Sequence, residues 1–125
     1  PVLFSSDSAV RSLGIVKGLG EPGLVVRDFG SWRSVWVAAH VLPAPLLRNL
    51  CRFAGVHVYD DAQDIVYANR SWLAIHFASD GRRTVRFPSP STVTDALTGK
   101  VLARNARSLQ LQARKGETKI LKLLP

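Results

Sequence analysis

Short runs in which apolar and polar residues alternate occupy the second half of the chain. Between Gly55 and Leu123 the runs are rich in β-branched and aromatic residues, and turn-forming residues interrupt them. Period-two alternation is typical of strands with one buried face, and closely spaced turns indicate antiparallel pairing. We therefore predict a small antiparallel β-sandwich over residues 59–125, entered through a strand at 56–59.

Turn residues predict how these strands connect. Strands at 65–69 and 72–78 form a hairpin around Arg70-Ser71, and Asp80-Gly81 predicts a hairpin to a strand at 84–87. Pro88 and Pro90 are expected to end that strand. The remaining hairpins are predicted around 97–100 and around 115–116, the latter joining 108–113 to 118–123. Within 72–78, one face carries Leu73, Ile75 and Phe77, which we expect to be buried together.

Residues 1–58 carry a different pattern. Strands at 24–27 and 34–39 are predicted to pair as a hairpin, and a helix follows from Pro43 to Ala54, with Gly55 as its C-cap. The apolar residues of the helix recur at helical spacing and predict a buried stripe made of Leu46, Leu47, Leu50, Phe53 and Ala54. The predicted fold class is therefore mainly β with one helix: the end of an α/β unit in residues 1–58, then the β domain in residues 59–125.

Composition adds four constraints. The chain has no Met, which predicts that it is part of a longer protein. Its single cysteine, Cys51, excludes an internal disulfide, and no apolar run approaches the ~18 residues of a membrane span. The net charge of +8 arises entirely in residues 82–125, which contain ten Lys/Arg and two Asp/Glu. A basic nucleic-acid-binding surface would need Arg82, Arg83, Arg86, Arg104, Arg107, Arg114 and Lys119 on one side, whereas strand periodicity predicts solvated faces.

Candidate chemistry is sparse, and we predict no catalytic residue, no metal site and no cofactor. Glu21 and Glu117 both lie in predicted turns, and nothing in the sequence places them on either side of a sugar. The G-x-G-x-x-G pattern at 18–23 precedes a strand, whereas the dinucleotide fingerprint requires a helix. Asp60, Asp61 and Asp64 could cap a turn or form a weak cation site beside a histidine.

Tryptophan is the residue type that most favours a ligand. Trp32 and Trp36 are four apart and therefore share one face of a continuous strand. Paired tryptophans on a sheet can stack on a sugar ring, although they more often belong to a core or an interface. We predict Trp32, Trp36 and Trp72 as carbohydrate-contact residues.

The order and spacing of several segments resemble a known family. These segments are GVHVY at 55–59, D-x-V-Y-A-N-R at 64–70, L-A-I-H at 73–76, T-V-R-F-P at 84–88 and D-A-L-T-G-K at 95–100. Together with LVVR at 24–27, FGSW at 29–32 and Leu42-Pro43, they resemble the C-terminal region of family forty-two type β-galactosidases and related bacterial glycoside hydrolases. The resemblance covers roughly residues 20–125.

The resemblance implies an architecture and a set of partners. In that family a catalytic barrel precedes a flavodoxin-like trimerisation domain and a small C-terminal β domain. It implies that residues 1–58 end the trimerisation-like domain, and that the catalytic acid and nucleophile lie upstream. The expected role is a non-catalytic assembly module that packs against the barrel domain and neighbouring subunits. The alternatives are a carbohydrate-binding accessory module and a small basic nucleic-acid-binding protein.

Overall fold

The computed structural model describes residues 3–124, so residues 1, 2 and 125 of the two predicted domains lie outside it. Within residues 3–124 the chain forms eight strands and one helix, which confirms a mainly β fold with one helix. The described helix is too short and too polar to span a membrane. The chain divides after Pro43 into two compact units, and the helix belongs to the second. The assignment of residues 1–58 and 59–125 to two ancestral domains stays a prediction.

The first unit is an antiparallel sheet. In the described residues it contains three strands in the order β1 (Arg11–Ile15), β2 (Pro22–Asp28) and β3 (Arg33–Val37). The predicted hairpin of strands 24–27 and 34–39 is confirmed, and the Phe29 N–H closes its turn on the Trp32 carbonyl at 2.9 Å. Flavodoxin-like units are built on parallel strands. The three described strands are antiparallel, so they do not themselves show a flavodoxin-like unit. That residues 1–58 end such a domain stays a prediction.

The second unit begins with the helix α1 (Ala44–Phe53), which confirms the predicted helix. Its C-terminus is a Schellman motif: Gly55 has a φ of 75°, and the Val56 N–H donates to the Cys51 carbonyl at 2.8 Å. The predicted buried stripe is wrong, because no residue of α1 is buried in the described part of the chain. Leu47 is 50% exposed and Phe53 is 39% exposed. The physical reason is that no described strand of the unit packs closely on α1.

A single antiparallel sheet follows α1. Its five strands within residues 3–124 are β4 (Ile65–Ala68), β5 (Trp72–His76), β6 (Gly81–Asp95), β7 (Val101–Ala113) and β8 (Thr118–Leu124). They lie in the order β4-β5-β8-β6-β7. The β4–β5 hairpin and the β6–β7 hairpin confirm the turns predicted at 70–71 and 97–100.

The hairpins predicted at 80–81 and 115–116 are wrong. In the described residues β8 lies between β5 and β6 and pairs with both, so β5 does not pair with β6 and β7 does not pair with β8. The two loops instead bond to each other and to the end of β5. The Lys115 N–H donates to the Asp80 carboxylate at 2.8 Å, and Phe77 exchanges backbone bonds with Gly116 and Glu117.

Two further strand predictions need correction. Pro88 and Pro90 do not end β6, which continues to Asp95, but its register against β7 shifts between Arg86 and Ser91. Proline has no N–H to donate, so it interrupts the pairing while the chain stays extended. The strand predicted at 56–59 is irregular chain in the structure.

The core lies on one face of this sheet. Leu73, Ile75 and Phe77 are each 0% exposed, which confirms that they are buried together. The other members of the cluster come from β6, β7 and β8: Val85, Phe87, Val93, Ala113, Leu121 and Leu123. Four strands of the sheet thus contribute buried side chains to one core.

Replacing Phe77 with Ala should lower the free energy of unfolding by about 3–5 kcal/mol, because the change removes a buried ring and leaves a cavity. Urea unfolding followed by circular dichroism measures the loss. Tyr67→Ala, an exposed aromatic change on β4, should stay within about 0.5 kcal/mol. Equally small losses for both variants would reject the core position of Phe77. If Phe77→Ala does not fold, Phe77→Leu should show a smaller loss in the same direction.

Candidate functional site

One face of the β2–β3 hairpin forms a cleft. Cross-strand pairs bring six side chains to this face: Val25 with Trp36, Arg27 with Ser34, and Phe29 with Trp32. The N-terminal segment, including Asp7 and Val10, supplies the other wall, and the cleft encloses about 450 Å³. Trp32 and Trp36 thus line one cleft, although Trp32 belongs to the turn before β3 rather than to the strand.

The aromatic end of this cleft is a stack of side chains. The rings of Phe29 and Trp32 lie parallel, with centroids 4.1 Å apart and planes 9° apart. The guanidinium of Arg27 lies 5.0 Å from the Phe29 ring centre. Trp32 is 57% exposed even though Phe29 covers one of its faces. The outer face of the indole is therefore open to solvent.

The turn that holds this stack is fixed by Asp28. Its carboxylate accepts a hydrogen bond from the Gly30 N–H at 2.8 Å. It also forms an ion pair with Arg33, whose Nε–H donates to it at 2.9 Å. The Arg33 side chain first, and the Gly30 amide second, hold the pKa of Asp28 below its ordinary value. Gly30 has a φ of 84°, a left-handed conformation that glycine adopts without strain.

A polar pair lies within the same cleft. Arg27 forms an ion pair with Asp7, and both side chains remain about one third exposed. The other oxygen of Asp7 accepts the Ala9 N–H at 2.9 Å, which anchors the carboxylate to the N-terminal segment. The pair offers donor and acceptor groups side by side with no net charge.

Trp72 lies on β5 in the second unit and does not line this cleft. It is exposed, and the ammonium of Lys122 on β8 lies 6.0 Å from its ring centre. Its role as a carbohydrate-contact residue stays a prediction.

The second unit contains a buried ionic cluster. Arg83 Nε donates to Asp64 at 2.5 Å, and the side chains are 8% and 0% exposed. Asp64 also accepts the Ala78 N–H at 2.8 Å, and Arg83 donates to the carbonyl and the hydroxyl of Ser79 at 2.9 Å. Asp60 is buried beside this pair, and its Oδ2 has no hydrogen-bond partner among residues 3–124.

The pKa values of the two carboxylates in this cluster are shifted in opposite directions. Burial raises the pKa of Asp60. The Ala62 amide lowers this pKa, the neighbouring Asp64 raises it, and the net shift is upward. Burial also opposes ionisation of Asp64, but the hydrogen bonds from Arg83 and Ala78 outweigh it and hold the pKa of Asp64 below its ordinary value. Asp60 therefore takes up a proton at a higher pH than Asp64, which pairs with Arg83.

Divergent pKa values in a carboxylate pair are a pattern of acid–base catalysis. Here the geometry favours a structural role, because the Asp64 side chain has no exposed surface and its oxygens are occupied by Arg83 and Ala78. Sequence reasoning assigned Arg83 to the basic surface set. Its period-two alignment with the buried Val85 and Phe87 could have identified it as an inward-facing residue.

The other candidate residues are dispersed. Asp61 does not join Asp60 and Asp64 but forms ion pairs with Arg52 and Arg86 on the surface. In residues 3–124, no group of three His, Cys, Asp or Glu side chains could hold a metal ion. Glu117 forms an ion pair with Lys119 at 2.6 Å in the second unit, and Glu21 is exposed in the first.

Comparison with known proteins adds a fold-level relationship. No protein-family model and no curated protein matches this chain. A solved structure, the crystal structure of β-galactosidase from Bacillus circulans sp. alkalophilus, aligns with a TM-score of 0.57 and 24% identity. The alignment covers 92% of this chain and 18% of that chain. The chain therefore shares its fold with a small part of a much longer protein.

Replacing Asp60 with Asn should raise the free energy of unfolding at neutral pH. The pKa of Asp60 is raised in the folded state, so its contribution is fully present below the ordinary value near 3.8 and is lost as the pH rises through the raised pKa. The asparagine side chain that replaces Asp60 is neutral at every pH. Denaturant unfolding at a series of pH values measures this effect. The free energy of unfolding of the variant, relative to that of the wild type, should increase as the pH rises.

The matched control is Asp61→Asn, an adjacent and exposed carboxylate. Exposed ion pairs contribute about 0–1 kcal/mol, so Asp61→Asn should change the free energy of unfolding only slightly. The stability of this variant relative to the wild type should not increase with rising pH. A loss of stability in Asp60→Asn at neutral pH would contradict the raised pKa of Asp60.

Proposed function

We propose that this chain is a non-catalytic structural and assembly module of a multidomain, β-galactosidase-like glycoside hydrolase. The observation that carries the proposal is the fold match over 92% of this chain to 18% of a β-galactosidase chain. A module that occupies so small a share of a longer enzyme can contribute packing surface without contributing the reaction. The segment order from GVHVY to D-A-L-T-G-K supports the same relationship.

The exposed apolar side of α1 is the surface best suited to packing. Leu47 and Phe53 are exposed on the helix, and Val56 is exposed just after it. A cavity of about 390 Å³ lies beside them and is lined by Leu47, Cys51, Tyr59 and Val66 among others. Exposed apolar side chains beside a cavity are a feature of protein–protein contacts. The proposed partners are the upstream catalytic barrel domain and neighbouring subunits of the same protein.

The parent protein, in this proposal, is a glycoside hydrolase whose catalytic carboxylates lie upstream. A (β/α)₈ barrel takes about 250 residues, twice the length of this chain. Glycoside hydrolysis needs two carboxylates roughly 5–10 Å apart on either side of the bond. Glu21 and Glu117 lie in different units, and Asp60 and Asp64 are buried.

The chain on its own should hydrolyse no aryl β-galactoside. Release of nitrophenol from a nitrophenyl galactoside, followed at high protein concentration, measures this. Glu21→Gln and Glu117→Gln serve as matched variants, because any rate that arises from contaminating enzyme would be unchanged in both. Turnover that disappears in either variant would contradict the non-catalytic role.

Replacing Leu47 with Asp should disrupt assembly of the complete protein. The upstream reading frame first identifies that protein and should encode a barrel. Light scattering and size-exclusion chromatography then compare the wild type with Leu47→Asp, which places a charge on the apolar side of α1. The expected result is a smaller oligomer or a detached module that proteolysis releases more readily.

Leu97→Asp is the control for this variant. Leu97 is an exposed leucine in the β6–β7 turn, so the same chemical change there should leave assembly intact. Unchanged assembly in Leu47→Asp would contradict the proposed packing surface. An upstream frame without a barrel would contradict the proposed parent enzyme.

A further inference from the structure

We propose that the cleft on the β2–β3 hairpin binds a neutral saccharide, with Trp32 as the platform on which a pyranose ring stacks. This inference concerns the first unit, so it goes beyond the packing role of α1 and does not depend on it. Three features carry it: an open indole face, a charge-neutral polar pair and an apolar end to the cleft.

The indole face is held in place before any ligand arrives. The Phe29 ring stacks on one face of Trp32 with ring centroids 4.1 Å apart, and the Arg27 guanidinium lies 5.0 Å from the centre of the Phe29 ring. The Asp28 contacts to Gly30 and Arg33 fix the turn that carries both rings. A platform whose orientation is already fixed loses little conformational entropy when it binds a ligand. The flat outer face suits the C–H side of a sugar ring, which is apolar.

The polar pair selects the chemical class of the ligand. Arg27 provides N–H donors and Asp7 provides carboxylate acceptors, and both are partly exposed within the cleft. Adjacent hydroxyl groups of a sugar both donate and accept, so they can bond to both members of such a pair. Because Asp7 neutralises Arg27, the cleft offers no excess positive charge to a phosphate or a carboxylate ligand.

The remaining surface gives the cleft depth and size. Trp36 lies across from the buried Val25, and Val10 contributes from the N-terminal segment, so this end is apolar. The volume of about 450 Å³ lies within the roughly 300–1,000 Å³ of small-molecule sites. A short oligosaccharide can thus place one ring on Trp32 and extend along the cleft.

Titration of the whole chain with β-1,4-galactotetraose and with cellotetraose tests the inference. Isothermal titration calorimetry gives the dissociation constant, and intrinsic tryptophan fluorescence reports stacking. We expect saturable binding in the millimolar range for at least one of the two sugars. Trp32→Ala should weaken that binding roughly tenfold or more, while Tyr67→Ala, an exposed aromatic of the other unit, should leave it unchanged.

Three outcomes would overturn the inference. The first is the absence of binding by either sugar at tens of millimolar. The second is binding that Trp32→Ala leaves intact, including binding that is lost in Trp72→Ala instead. The third is a clear preference for uridine, which would make the stack a nucleobase platform. Circular dichroism of each variant confirms that it is folded, and Trp32→Phe, which keeps an aromatic face, should retain part of the affinity if Trp32→Ala does not fold.

Discussion

The position of the last strand is the constraint on which the second unit depends. β8 lies between β5 and β6, so the chain from Thr118 to Leu124 must pair on both sides before the sheet is continuous. Leu121 and Leu123 then complete the core that Phe77 and its neighbours begin. Contacts this distant along the chain close large loops, and folds that depend on them form slowly. The core is therefore complete only when the C-terminal strand has been inserted.

Local signals in the sequence identified the features that are themselves local. Period-two alternation predicted the strands and the buried face of β5, and turn residues predicted the β2–β3, β4–β5 and β6–β7 hairpins. Two errors are local, namely the end of β6 at Pro88 and Pro90 and the strand at 56–59. The other errors concern long-range pairing. Asp80-Gly81 has strong turn chemistry, but the alternation around it carries no information on which strand lies next to β5. The exposed side of α1 is a similar case, because amphipathic spacing predicts a face that needs burial and not the partner that buries it.

The aromatic cleft and the ionic cluster differ in how far the sequence could reveal them. The spacing of Trp32 and Trp36 indicated a shared side, which the structure places in one cleft. Asp7 and Arg27 are twenty residues apart, and nothing local indicates that they meet. Arg83 could have been found, because it has the same parity as Val85 and Phe87. From the sequence it was counted only among the cations that a nucleic-acid surface would need, although an arginine can lie in a core when it pairs with a buried carboxylate.

The charge surplus of residues 82–125 is best understood residue by residue. Arg83 is buried against Asp64, Arg86 pairs with Asp61, and Lys119 pairs with Glu117. Lys122 lies over Trp72. A nucleic-acid surface needs cations that are free to face a phosphate track, and these contacts orient several of them toward protein groups instead. Four of the ten basic side chains of residues 82–125 thus contact protein groups. The neutral aromatic cleft and the exposed apolar side chains of α1 are two further surfaces suited to recognition.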